Sequence, residues 1–117
     1  MDIVTFREYC VGQKGATEGF PFGEETLVFK VKGKMFALAS IRAFERVSIK
    51  VLPEIGAELR ERYPAVTAAY HMNKKHWITV RIDGSVPDQL LLEWTQNSYQ
   101  LVVQGLTRRD KSALELL

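Results

Sequence analysis

Between Tyr70 and Trp77 the chain reads Tyr-His-Met-Asn-Lys-Lys-His-Trp, an octet that holds both histidines, one of the two tryptophans, a carboxamide and two adjacent lysines. An imidazole titrates near neutrality and suits general acid or base work, and neighbouring ammonium groups suit holding an anion beside it. Metal binding is not expected, because His71 and His76 stand five residues apart without a third His, Cys or nearby carboxylate to complete a ligand set. Nor does a nucleophile with a base and an orienting group appear, although folding could bring Ser98, Tyr99 and Thr79 close; no catalytic residue and no cofactor is assigned. The octet therefore supplies candidate binding residues: His71, Asn73, Lys74, Lys75, His76 and Trp77. An architectural reading stands beside this one, with Asn73 bonding its own backbone in a turn, His76 satisfying backbone groups and Trp77 packing under a helix.

A second set of groups is cationic. Lys30, Lys32 and Lys34 follow one another along a hairpin pattern, and Lys50 and Arg81 fall on the polar side of later strand patterns. Lysines neutralise phosphates without reading base sequence, so the partner these residues suggest is DNA, bound weakly and in a salt-sensitive way. The same residues would also serve as a solvated strand face that discourages edge pairing. A net charge of +2 permits nucleic-acid binding without requiring it. No helix joins a basic face to a helix-turn-helix pattern, so reading of the major groove by a helix is not expected. An alternative function is a small-molecule site, enzymatic or not, built from His71, Asn73, His76 and Trp77 and walled by the Phe20-Pro21-Phe22 loop. A protein-interaction module working through an exposed strand edge is a third.

These groups need elements to position them. Asp2 can cap a first helix whose Ile3, Phe6, Tyr9 and Cys10 share a face, ending at Gly12 or Gly15. Residues 16–23 form a loop or distorted edge strand, anchored by burial of Phe20 and Phe22 around Pro21. Leu27, Phe29 and Val31 alternate with Val28, Lys30 and Lys32 as a half-buried strand. A tight turn at Lys32-Gly33 returns the chain as Met35 to Ser40. Val47, Ile49 and Val51 mark a third strand. Pro53 opens a helix with Ile55, Leu59 and Tyr63 inward, and Pro64 stops it. Ala65 to Ala69 is a connection or short strand. Ile78, Val80 and Ile82 mark the last strand, closed by Asp83-Gly84. Ser85-Val86-Pro87-Asp88 has a capping pattern and begins the main helix, with Leu90, Leu91, Trp94, Ser98, Leu101, Val102 and Gly105 at helical spacing. Thr107 to Asp110 caps a short final helix.

Helix, strands, helix, strand and helices in this order predict an α+β fold, a two-layer sandwich of one antiparallel sheet with helices on one face. The opposite face would carry Lys30, Lys32, Lys50 and Arg81. At 117 residues, 46% hydrophobic and 26% charged, the chain is expected to form a single domain over residues 1–117. Cys10, the one cysteine, reads as a small core hydrophobe. The N-terminus has neither a basic segment nor an apolar run, and no window approaches a membrane span, so a cytoplasmic location without membrane association is expected.

Several segments together resemble the MmcQ/YjbR family: Tyr9-Cys10, Gly15-Ala16-Thr17-Glu18 through Phe20-Pro21-Phe22-Gly23, and the hairpin from Val28 to Ala37. Above all there is His71-Met72-Asn73-Lys74-Lys75-His76-Trp77, followed by Asp83 to Asp88 and Ser98-Tyr99. The resemblance covers almost the whole chain. It implies a fold similar to the CyaY/frataxin-like sandwich and a small bacterial protein of a kind commonly labelled DNA-binding on structural grounds, with no established enzyme activity. It carries over Asn73, Lys74, His76 and Trp77 as a candidate site. Iron handling of the frataxin kind would need a dense acidic ridge, and Asp2, Glu8, Glu18, Glu24 and Glu25 are too dispersed for one.

Overall fold

A computed structural model describes residues 1–117 as four helices and six strands. Helix α1 (Ile3–Val11) leads into a meander of β1 (Ala16–Gly19), β2 (Thr26–Val31), β3 (Lys34–Ser40) and β4 (Arg46–Lys50). Helix α2 (Pro53–Arg62) then crosses to β5 (Val66–Ala68), and β6 (Trp77–Arg81), α3 (Asp88–Gln104) and α4 (Arg108–Glu115) complete the chain. The sheet order is β1-β2-β3-β4-β6-β5, and every pair of neighbours is antiparallel. Strand β6 thus runs back into the gap that α2 leaves between β4 and β5. The chain is the α+β arrangement of one antiparallel sheet with helices on a face.

Alternation decides which face the helices cover. Leu27, Phe29, Val31, Val47, Ile49, Val66, Ile78 and Val80 enter one buried cluster with Phe6, Cys10, Leu59, Trp94 and Tyr99 of the helices. Register matches like with like, Val47 facing Val80 and Ile49 facing Ile78. Helix α3 lies over β3 and β4 and buries Leu91, Trp94, Thr95, Ser98, Tyr99 and Val102, three or four residues apart as one stripe. Asp2 caps α1 by accepting the Thr5 N–H, and Thr107 caps α4 by accepting the Asp110 N–H. Lys32 and Gly33 have φ of +50° and +77°, the signature of a type I′ hairpin turn.

Three local expectations differ. Helix α2 buries Gly56 and Leu59 and leaves Ile55 exposed, because it approaches the sheet through its glycine. A Cβ on Gly56 would stand 2.9 Å from Val51 Cγ2. Ser85 does not cap α3; its N–H and hydroxyl both donate to Asp83 Oδ1 and close the turn after β6. Phe20 and Phe22 are 50% and 63% exposed, since the loop after β1 leaves the sheet at its edge, where no second layer exists to cover it.

The pairing of β2 with β3 shifts between Phe29 and Lys30, leaving Phe36 as an extra residue in β3. The ladder from β3 to β4 also stops there, at Ala37 against Ile49. Ser98 fills the gap from α3. Its Oγ accepts the Lys50 N–H at 2.8 Å and donates to the Phe36 carbonyl at 2.6 Å, so a buried hydroxyl replaces the missing rung.

Candidate functional site

No helix lies on the other face of the sheet. Its central row, read across the strands by register, is Gly19, Val28, Leu38, Ser48, Thr79 and Thr67. The Ser48 and Thr79 hydroxyls bond each other at 2.9 Å. Lys30 and Lys50 flank this row on one side and Arg46 and Arg81 on the other, so three of the five predicted cationic contacts share the open face. Lys32 does not; it occupies the hairpin tip, where the turn takes it out of strand phase. Lys34 pairs with core-facing Val31 and belongs by register to the helix side. Arg46 was missed in the sequence, although it stands two residues before Ser48 in the same strand phase. It faces Arg81 directly, and Arg81 is held at 2.9 Å by Asp83 while Arg46 has no carboxylate partner.

The octet forms the corner between β5 and β6. Asn73 builds it: its Oδ1 accepts the Lys75 N–H at 3.0 Å, and its carbonyl accepts the N–H groups of His76 and Trp77. The His76 carbonyl accepts the Val51 N–H at 2.8 Å and ties the corner to the end of β4. Trp77 alternates with core-facing Ile78 and opposes Lys50, so it is buried on the open face and not under α3. His71, Lys74 and Lys75 are exposed and His76 is half-buried. The Lys74 ammonium lies 5.2 Å from the centre of the Tyr70 ring.

Two groupings considered from the sequence are not assembled. The Phe20-Pro21-Phe22 loop follows β1 at one edge of the sheet, whereas the octet precedes β6, four strand spacings or about 19 Å away. The loop therefore cannot wall a pocket with His71, Asn73, His76 and Trp77. Ser98 lies in the core between β3 and β4, and Thr79 lies on the open face, so they do not converge on a histidine.

What the fold does bring together is lysine. The β2–β3 hairpin tip, the end of β4 and the start of β6 lie at the same end of the sheet, because Lys50 pairs with Trp77 beside the row that holds Lys30 and Met35. Lys30, Lys32, Lys34, Lys50, Lys74 and Lys75, six of the eight lysines, are gathered there. None takes part in the ion pairs, whose cations are the N-terminus and four arginines. At the opposite end two of the arginines are paired, Arg42 with Glu25 and Arg81 with Asp83. Bonds from Ser85 and Arg81 hold the Asp83 carboxyl down at about 2. The Arg7 guanidinium likewise lowers Glu18. Burial pushes the Cys10 thiol well up, which leaves it unreactive near neutrality. No three His, Cys, Asp or Glu side chains lie together as a metal group. No helix is long and apolar enough to cross a membrane.

Comparison with known proteins places this geometry among relatives. A family model described as YjbR matches residues 11–101. The chain is 40% identical over 93 residues to the Escherichia coli O157:H7 protein YbdF, covering 79% of this chain and 76% of that one. It is 31% identical over 115 residues to YjbR of Escherichia coli K12, covering 97% and 98%. Both relatives are described as uncharacterized. A crystal structure of a Deinococcus radiodurans protein with the DUF419 domain superposes with a TM-score of 0.91 at 43% identity, over 97% of this chain and 88% of that one. A Pseudomonas syringae protein gives 0.72 at 28% identity, over 86% and 98%.

Proposed function

The chain belongs to the YjbR family, and from that premise we propose that it is a nucleic-acid-binding module. DNA is the partner, and the contact surface is the lysine end of the sheet with the adjoining open face. The observation that carries this reading is the gathering of six lysines, none ion-paired, at one end of a molecule whose net charge is only +2, so that the remainder of the chain is net acidic. Ammonium groups are point charges on flexible stems. They attract phosphates strongly but do not read base edges as a bidentate guanidinium does, so binding is electrostatic and largely indifferent to sequence. The octet contributes as a support: the turn built by Asn73 holds Lys74 and Lys75 outward beside Lys50. Arg46, free of a carboxylate, extends the cationic surface along β4.

The test is fluorescence anisotropy with labelled random-sequence DNA at several salt concentrations. Binding is expected at low ionic strength and should fall steeply with salt. Lys30→Glu together with Lys74→Glu should weaken it about tenfold or more and flatten the salt slope by about 2, with the circular dichroism and melting curve unchanged. Absence of binding at low salt, or a double variant that binds like the parent, overturns the proposal.

A further inference from the structure

Resting on that reading, we infer that the polymer is held as a single strand, with one base stacked on Phe20 at the corner between β1 and β2. Two phenylalanines on either side of Pro21, at 50% and 63% exposure, are apolar surface that the fold itself does not use. Phe20 walls a cleft of about 330 Å³ together with Thr17, Glu18, Gly19, Pro21, Val28 and Lys30. The floor is apolar: Val28 belongs to the open face, outside the main core, yet is only 1% exposed beneath this corner. Gly19 opposes Val28, and a Cβ there would meet nothing within 4 Å, so the entrance above the floor is open.

The charges around the cleft favour a phosphate. Lys30 lies two residues beyond Val28 on the same face, opposite Thr17, with no carboxylate partner. Of the acids nearby, Glu18 is paired with Arg7 and Glu25 with Arg42, and Glu24, outside the cleft lining, has no cationic partner. An aromatic wall, an apolar floor and a lysine one short step away are what a nucleotide needs, its base on the ring and its phosphate on the ammonium. From Lys30 the same face leads directly to the lysine end of the sheet. Inside a duplex the faces of the bases are covered by their neighbours, so a half-exposed phenylalanine gains a stacking partner only from an unpaired base. The cleft therefore selects single strands over duplex, and DNA and RNA differ only in the sugar that passes Thr17.

The intact chain tests this by anisotropy with labelled oligothymidine, its ribose counterpart, and a duplex of the same length. The single strands are expected to bind more tightly than the duplex. Phe20→Ala should weaken single-strand binding about 5- to 150-fold, the range for losing one stacked base, while leaving the salt slope and the duplex affinity unchanged. Phe20→Tyr should restore it, separating lost stacking from altered folding. Lys30→Ala should instead flatten the slope by about 1. Tighter duplex binding, or a Phe20→Ala variant with full single-strand affinity, overturns this inference and leaves the proposed function standing. A mononucleotide that competes as strongly as the oligomer also overturns it. Failure of every nucleic acid to bind at low salt overturns the proposed function itself.

Discussion

Ser98 shows how one hydroxyl can be worth more than its size. It serves two backbone groups of different strands, both removed from water, at the place where the bulge at Phe36 interrupts pairing. Ser98→Ala keeps the volume nearly constant but leaves the Lys50 N–H and the Phe36 carbonyl without a partner. The expected loss is about 1–3 kcal/mol in urea unfolding, with the slope unchanged, because an unmade buried bond costs more than a made one contributes. At this scale the sequence was readable only where partners are local. Asn73 acts on Lys75, two residues away, and its turn-building role follows from residue type. Ser98 acts across 48 and 62 residues, and helical spacing alone marks it merely as inward-facing.

Elements were legible wherever a period was clean. Leu27 to Val31, Val47 to Val51 and Trp77 to Ile82 alternate, and their phases match the buried cluster. Phases failed where glycine or an edge intervened. In α2 a missing side chain, Gly56, sets the contact in place of Ile55, and no hydrophobic pattern reports an absence. Aromatic composition suggested that Phe20 and Phe22 anchor their loop, but whether a covering layer exists depends on sheet order. The C-terminal helix is placed by another glycine. Gly15 has φ +73°, and a Cβ there would come within 2.5 Å of Leu114 Cδ1 and 3.1 Å of Leu117 Cδ1. Gly15→Ala meets both a disfavoured backbone and an occupied space, and should destabilise by about 1–3 kcal/mol. Heteronuclear NMR should show the largest shifts in α4; a variant as stable as the parent would mean that α4 does not dock there.

At the scale of the whole molecule, the return of β6 between β4 and β5 is the step that no local pattern announces. It is also the step that creates the candidate surface. Lys30 and Lys75 are 45 residues apart in the chain, and only the order β2-β3-β4-β6 brings their strands to a common end. The same order makes β2, β3, β4 and β6 interior, with hydrogen-bonded neighbours on both sides. Native-state hydrogen exchange should therefore be slowest for their amides and fastest for β1. Slow exchange in β1 with an unprotected β6 would contradict the six-strand arrangement. The two outermost strands are also the shortest, four residues in β1 and three in β5. Each presents too little unpaired backbone to template a neighbouring molecule, and one is continued by a Phe-Pro-Phe loop that cannot extend the ladder. The two exposed phenylalanines thus stand beside an edge unsuited to strand-by-strand growth into fibrils.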